Sequence, residues 1–139
     1  MLQVGYLKVF RWRDDFPEKV FPIRRGKNYI GRDKKSTICI PVKPLSKRHA
    51  CIEIAGDMHL LYDCNSKNKS RREKLQLQPN VRYEINHCDM LVFGDVRCQY
   101  LKKLGILLLV DWRSMLINSY RLCLTRLYIY ILFDYLSYR

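Results

Sequence analysis

The sequence ACIEIAGDMHLLY, residues 50–62, decides the fold class of the chain. Within it, Ile52 and Ile54 alternate with Cys51 and Glu53, which indicates a half-buried strand with one face turned inward. The turn residues 55–57 separate this run from a second strand-like run at residues 58–62. The stretch therefore predicts two short strands with a turn between them.

The same pattern continues on both sides over the first hundred residues. Short runs rich in Val, Ile, Tyr and Phe recur, and turn residues such as 25–26 and 78–80 separate them. The predicted strands lie near residues 5–12, 19–23, 28–30, 38–40, 50–54, 58–62, 75–77, 81–85, 90–93 and 97–101. Many short, regularly separated strands favour an all-β sandwich or barrel. No helical periodicity of useful length occurs before Lys103, so we expect one all-β domain over residues 1–103.

The composition changes abruptly in residues 104–139, which are dominated by Leu, Ile and Tyr. Residues 127–133 are apolar on every side, which suits a buried helix better than a solvated one. Charged residues interrupt the segment, so it does not read as a membrane span and no membrane partner is expected. They include Asp111, Arg113, Arg121 and Arg126. Three interpretations stay open: a helix docked on the domain or on a partner, an alternative terminus, and a disordered segment.

Charge and motif content restrict the function classes. The 139 residues contain 26 Lys+Arg and 13 Asp+Glu, a formal net charge of +13, which favours an anionic partner such as a phosphopeptide, nucleic acid or acidic lipid. No two of the six cysteines have CxxC spacing, so no metal site is predicted. The sequence has no paired-carboxylate site, glycine-rich nucleotide loop or nucleophile elbow. We therefore expect a binding module with no catalytic residues and no cofactor.

A set of phosphate-binding residue types lies on successive predicted turns. The planar guanidinium of Arg32 matches the oxygens of a phosphate, and Gly31 lets the backbone turn tightly before it. Ser46 adds a hydroxyl donor, and Lys47 adds a mobile positive charge. Hydrogen bonds to a charged group contribute about 1.5–3 kcal/mol each, so three such donors suffice for micromolar binding.

Four blocks of the sequence resemble the successive signature blocks of forkhead-associated (FHA) domains, over roughly residues 4–102. They are Gly31-Arg32, Ser46-x-x-His49, residues 63–68 and residues 89–94. This resemblance implies a two-sheet β-sandwich of about ten to eleven short strands that reads phosphothreonine peptides. It further implies a nuclear adaptor in DNA-damage checkpoint signalling, with a phosphothreonine-containing protein as its partner.

The resemblance also implies residue roles. Arg32, Ser46 and Lys47 would hold the phosphate, and Asn68 would bond the peptide backbone beside it. Ser70 falls where the family usually has a phosphate-binding threonine, so it would supply a hydroxyl. Gly31 and His49 would be architectural, with His49 buried and tying loops together.

One position departs from the family pattern, because Asn68 is followed by Lys69 and not by glycine. A lysine in the left-handed region costs on the order of 1 kcal/mol, so we expect the loop to take another shape that displaces Asn68. Asn65, which tolerates this region better, would take over part of the turn. The alternative function is therefore an FHA scaffold that has lost phosphothreonine binding and acts in homodimerisation.

Two further expectations concern partners. The basic run from Lys67 to Lys74 would attract acidic phosphopeptides, or contact a nucleic-acid backbone, or serve as a nuclear import signal. It contains no aromatic stacking platform, so a specific nucleic-acid partner is not favoured. The only threonines are Thr37 and Thr125, and neither lies near the chain start. Homodimerisation is therefore expected to use a sandwich face or residues 104–139.

Overall fold

The computed structural model describes residues 2–103, which form eleven β-strands and no helix. The strands are β1 (Gln3–Val9), β2 (Lys19–Arg24), β3 (Gly26–Gly31), β4 (Ile38–Cys39), β5 (Ala50–Ala55), β6 (Met58–Asp63), β7 (Ser70–Arg72), β8 (Leu75–Gln76), β9 (Tyr83–Glu84), β10 (Met90–Phe93) and β11 (Val96–Lys102). Within this described part, no helix exists that could cross a bilayer.

The strands form two sheets that pack as a sandwich. The six-stranded sheet has the order β2-β1-β11-β10-β7-β8, and the five-stranded sheet has the order β4-β3-β5-β6-β9. All pairings are antiparallel except the short parallel pair of β3 with β4. The expected all-β, two-sheet sandwich is confirmed.

The strands pair so that their apolar faces meet between the sheets. In the β5–β6 hairpin, Ile52 pairs with Leu61, and both side chains are buried. The connection turns at Gly56, whose φ of 58° lies in the left-handed region that glycine adopts at little cost. Both sheets supply fully buried side chains to the same core, including Leu7, Ile23, Phe93 and Tyr100 from one sheet and Ile30, Ile38, Ile52 and Leu61 from the other. Burial of these side chains is the main favourable contribution to folding.

All ten predicted strands are present, but several bounds differ. The first ends at Val9, because Trp12 forms an isolated bridge with Phe16 across a tight turn. The predicted strand at residues 81–85 is reduced to Tyr83–Glu84. Strand β7 was not predicted, because Ser-Arg-Arg carries no apolar alternation. It forms because its backbone pairs with β10, with Ser70 opposite Phe93.

Four connections meet at one end of the sandwich, hereafter the loop end. They are the β3–β4 connection (32–37), the β4–β5 connection (40–49), the β6–β7 connection (64–69) and the β10–β11 turn (94–95). Most of the predicted site residues lie on these connections. The interpretations given for residues 104–139, and the domain boundary after Lys103, concern residues outside the described part.

Candidate phosphate-binding site

Gly31 allows two loops of the loop end to touch through their backbones. A Cβ atom on this residue would lie 2.0 Å from the Lys47 carbonyl oxygen and 2.8 Å from its carbon. With only a hydrogen there, the Arg32 N–H donates to the Ser46 carbonyl at 3.0 Å, and the Asp33 N–H donates to the Lys47 carbonyl at 3.2 Å. A glycine is thus required at position 31 because no side chain fits there. Its φ is not in the left-handed region, so backbone conformation is not the reason. The result is that Arg32 lies directly beside Ser46 and Lys47.

Ser46 links the central loop to the β6–β7 connection. Its Oγ accepts a hydrogen bond from the Lys67 N–H at 3.1 Å. Because a hydroxyl carries one donor and two acceptor sites, the Ser46 O–H proton is still available for a further partner. The side chain is half-buried, so a ligand at the surface can reach it.

His49 holds the same two loops together from inside. Its Nδ1 accepts from the Ser46 N–H at 3.0 Å, so Nε2 carries the proton and donates to the Lys69 carbonyl at 2.9 Å. The ring is fully buried and packs edge-on against Phe93. Burial lowers the pKa of His49, which favours the neutral tautomer that this bonding needs. Both ring nitrogens are therefore used within the protein.

The β6–β7 connection is built around the buried carboxylate of Asp63. Its oxygens accept hydrogen bonds from the Ser66 N–H at 2.9 Å, from the Ser66 hydroxyl, and from the Ser70 hydroxyl at 2.7 Å. All three residues are buried, with exposed fractions of 2% or less. Several donors on one carboxylate compensate the cost of burying its charge. The network fixes the path of the chain between β6 and β7.

Ser70 therefore differs from its predicted role. Its side chain is fully buried, and its hydroxyl donates to Asp63 and not toward the loop surface. The geometry does not support a phosphate contact by Ser70. The physical reason is that Ser70 opens β7 opposite Phe93, which turns its side chain toward the interior.

Lys69 adopts a left-handed conformation, which glycine takes at little cost. Its φ is 65°, and its carbonyl accepts from His49 Nε2 and from the Gly94 N–H at 3.0 Å. The expectation that a lysine avoids this region was wrong, because these two bonds hold Lys69 there, whereas the expected displacement of Asn68 stays a prediction. Asn65 also has a positive φ of 58°. Asn68 is exposed, and its Nδ2 donates to the Pro44 carbonyl at 2.8 Å.

Arg32 and Lys47 present uncompensated positive charge at this surface. Both side chains are exposed, and neither has an ion-pair partner among residues 2–103. Together with the Ser46 hydroxyl they bring three donors to adjacent backbone positions. The site is suited to an exposed anion with several oxygens, such as a phosphate monoester.

An open groove of about 490 Å³ adjoins Asn68. It is lined by Lys43, Pro44, Asn68, Gly94 and Asp95. Gly94 has a φ of 63°, and a Cβ atom there would lie 2.9 Å from the Pro44 carbonyl oxygen. Two loops therefore approach closely across the base of the groove.

Some of the residues that shape this site were not predicted from the sequence. Asp63 and Ser66 were given no role, although an aspartate side chain often accepts from backbone N–H groups a few residues further along the chain. Pro44, whose carbonyl anchors Asn68, was also not predicted, because nothing in the sequence signals a contact made by a backbone oxygen 24 residues away. In residues 2–103, no group of three His, Cys, Asp or Glu residues is arranged to hold a metal ion.

Comparisons with known proteins agree with this geometry. The family model for the FHA domain matches residues 28–94. Human mediator of DNA damage checkpoint protein 1 is 36% identical over 101 residues, which is 70% of this chain and 5% of that protein. The mouse protein of the same name is 34% identical over 101 residues, or 70% of this chain and 6% of that protein. The chain thus spans only a small part of the length of these relatives.

Solved structures share the fold. One comes from a structural and functional analysis of phosphothreonine-dependent FHA domain interactions, with a TM-score of 0.64 and 24% identity, covering 73% of this chain and 99% of that one. Another is the MEK1 FHA domain in complex with a HOP1 phosphothreonine peptide, with a TM-score of 0.61 and 20% identity, covering 74% and 100% of the two chains. With the sequence relatives and the geometry of the loop end, these matches show that the chain contains a forkhead-associated domain and belongs to the FHA family.

Proposed function

We propose that the chain is an adaptor module that binds phosphothreonine-containing peptides of a partner protein. The observation that carries this proposal is the placement of Arg32, Ser46 and Lys47 on two loops joined backbone to backbone. Neither cation has an ion-pair partner in the described part of the chain, and the Ser46 hydroxyl keeps a proton to donate. A phosphothreonine carries about −1.5 to −2 charges at neutral pH and three acceptor oxygens. Three donors on neighbouring backbone positions are the kind of set that such an anion requires.

Each residue then has a physical role. Arg32 offers two parallel N–H groups to two phosphate oxygens, Ser46 donates its hydroxyl proton, and Lys47 contributes charge to the same oxygens. Asn68 stands beside them with its amide anchored on Pro44, at a position from which it can bond the peptide backbone. The groove next to Asn68 offers room for a neighbouring side chain of the peptide. None of these roles requires a bond to be made or broken, so the module is proposed to be non-enzymatic.

The loop geometry favours phosphothreonine binding over the alternative of a scaffold that has lost it. That alternative depended on Lys69 changing the loop, and Lys69 keeps the left-handed conformation with both bonds to its carbonyl. Self-association through a sandwich face or residues 104–139 stays a prediction. Its test is the mass of the full chain in solution, measured by light scattering with and without phosphatase treatment.

The names of the relatives support a proposal for the cellular role. Proteins at 34–36% identity bear the name mediator of DNA damage checkpoint protein 1. We therefore propose that the module works in nuclear DNA-damage checkpoint signalling, where a kinase creates the phosphothreonine that it reads. A nuclear location is part of this proposal, and imaging of the tagged full chain before and after DNA damage tests it.

The binding proposal is tested by calorimetric titration of the full chain. A phosphothreonine peptide library, with matched phosphoserine and unphosphorylated peptides, identifies a ligand, and the best peptide is then titrated against variants. Arg32→Ala is expected to weaken binding about 10–100-fold, because charge-assisted hydrogen bonds contribute about 1.5–3 kcal/mol. The matched control Arg24→Ala removes an equal charge from an exposed position on β2 and should change affinity less than about threefold. Equal binding of the unphosphorylated peptide, or unchanged binding by Arg32→Ala, would overturn the proposal.

A further inference from the structure

Basic side chains crowd the loop end well beyond the three proposed phosphate contacts. The segments 32–37, 41–48 and 64–69 contain eight basic residues and one acidic residue, Asp33. The basic residues are Arg32, Lys34, Lys35, Lys43, Lys47, Arg48, Lys67 and Lys69. All of them are exposed except Lys69, which is half-buried.

These charges are not neutralised within the described part of the chain. The four ion pairs among residues 2–103 involve none of the eight basic residues. Asp33 uses a carboxylate oxygen to accept the Lys35 N–H at 3.1 Å. Asp95, the acidic residue of the β10–β11 turn, accepts from Trp12 Nε1 at 2.7 Å and lies 3.7 Å from Arg13. Of the eight cations, Arg48 has another contact, because its guanidinium stacks 4.1 Å from the centre of the Tyr29 ring.

Hydrogen bonds between the segments connect the loops that carry the remaining cations. Besides the two Gly31-dependent backbone bonds, the Ser36 hydroxyl donates to the Lys47 carbonyl at 3.3 Å. On the other segment, the Lys67 N–H bonds Ser46 and the Asn68 amide bonds Pro44. Both outer segments are thereby tied to the central one. The basic residues therefore lie on connected segments of one end of the sandwich and not on independent loops.

The negative charge of one phosphate does not neutralise the positive charge of the loop end. A single phosphothreonine contributes about −1.5 to −2 charges, whereas seven cations remain at the loop end without an ionic or ring partner in residues 2–103. Charges within about 8–10 Å act on one another at physiological ionic strength. The surplus therefore favours a ligand that brings additional negative charge next to its phosphothreonine.

We propose that the ligand of this site is a polyanionic peptide, in which a second phosphate or several acidic side chains flank the phosphothreonine. The residues that meet the flanking charge are Lys34 and Lys35 on the β3–β4 connection, Lys43 in the lining of the groove, and Lys67 on the β6–β7 connection. This inference rests on the proposed function and adds the chemical class of its ligand. Acidic side chains and a second phosphate offer the same chemistry, so the test separates them.

The test uses the full chain and three fluorescent peptides of equal length, each with one phosphothreonine at the same position. The first has neutral flanks, the second has Asp and Glu flanks, and the third has a second phosphate. Anisotropy titrations at physiological salt should show both charged peptides binding about tenfold more tightly than the neutral one, as expected of two or three exposed ion pairs. At about 0.5 M salt the preference should fall to within about twofold, because exposed pairs are screened.

Matched variants locate the effect. The variant K34Q/K35Q/K67Q should reduce the preference to within about threefold, while its affinity for the neutral-flank peptide changes less than about twofold. The control R24Q/K27Q/K103Q removes three charges from exposed positions at the opposite end of the sandwich and should keep the full preference. A preference shown by only one charged peptide identifies which source of charge the surface accepts and supports the proposal.

Three outcomes would overturn the inference. If the neutral-flank peptide binds through Arg32 as tightly as the charged ones, the polyanion proposal fails and the phosphothreonine function stands. If no phosphothreonine peptide binds, both fail. If a random-sequence DNA duplex competes with the charged peptides equally well, and Arg32→Ala does not affect it, the basic surface binds a nucleic-acid backbone instead.

Discussion

Replacing Gly31 with alanine tests whether the contact of two backbones builds the binding site. The added methyl group would lie 2.0 Å from the Lys47 carbonyl oxygen, whereas ordinary contact begins near 3.4 Å. The loops must therefore separate by more than about 1 Å, which breaks the backbone bonds that Arg32 and Asp33 make to the central loop. Two hydrogen bonds contribute about 1 kcal/mol each, and overpacking costs about 1–3 kcal/mol. We expect Gly31→Ala to destabilise the fold by about 3–5 kcal/mol.

Urea unfolding of the full chain measures this change, and peptide titration measures its effect on the site. Affinity for a phosphothreonine peptide should fall more than about tenfold, because a binding constellation tolerates shifts of only about 0.5 Å. The control is Gly56→Ala, where nothing lies within 4 Å of the added atom but φ is 58°. It should cost only about 1 kcal/mol and leave peptide affinity unchanged. Near wild-type stability and affinity in Gly31→Ala would refute the reasoning.

Three further predictions concern the residues that support the site. Lys69→Gly should stabilise the fold by about 0.5–1 kcal/mol in urea unfolding, since glycine removes the strain of a φ of 65°; a destabilised variant would contradict this. Asp63→Asn should destabilise the fold by about 2–3 kcal/mol, because an amide cannot accept all the bonds that the carboxylate takes from Ser66 and Ser70. Urea unfolding measures this change too, and an unchanged unfolding midpoint would argue against the network. Burial lowers the pKa of His49 in the folded state. As pH falls below about 6.5, the unfolded chain therefore binds a proton at this residue while the folded chain does not. The free energy of unfolding should decline from that pH downward until the pH lies below the folded pKa. The lowered pKa values of His59 and His87 act in the same direction, and a midpoint that rises on acidification would contradict the prediction.

The sequence was most informative where local chemistry decides structure. Strands β5 and β6 could be predicted because alternation of apolar and polar residues determines which face is buried, and Gly56 marks the turn between them. Strand β7 could not, because its Ser-Arg-Arg sequence gains strand structure only from pairing with β10. Strand pairings of this kind are set by tertiary contacts and leave no local pattern.

Within the site, too, features set by the local sequence could be predicted, and features set by tertiary contacts could not. The types and spacing of Arg32, Ser46 and Lys47 predict a phosphate-binding set from the sequence alone. The burial of Ser70 could not be predicted, because Asp63 becomes its neighbour only when the β6–β7 connection closes. The conformation of Lys69 could not be predicted either. The backbone preference of a lysine disfavours the left-handed region, and only the hydrogen bonds to its carbonyl overcome that preference.

The most direct test of the account is a backbone-amide NMR titration of the ¹⁵N-labelled full chain with a phosphothreonine peptide and with its unphosphorylated counterpart. The account predicts that the phosphorylated peptide shifts the amides of Arg32, Ser46, Lys47 and Asn68 in a saturable manner. It also predicts that Lys27, at the opposite end of β3, does not move, and that the unphosphorylated peptide has no effect. Shifts caused equally by both peptides, or shifts located away from the loop end, would contradict the central claim that this domain reads a phosphate through its loops.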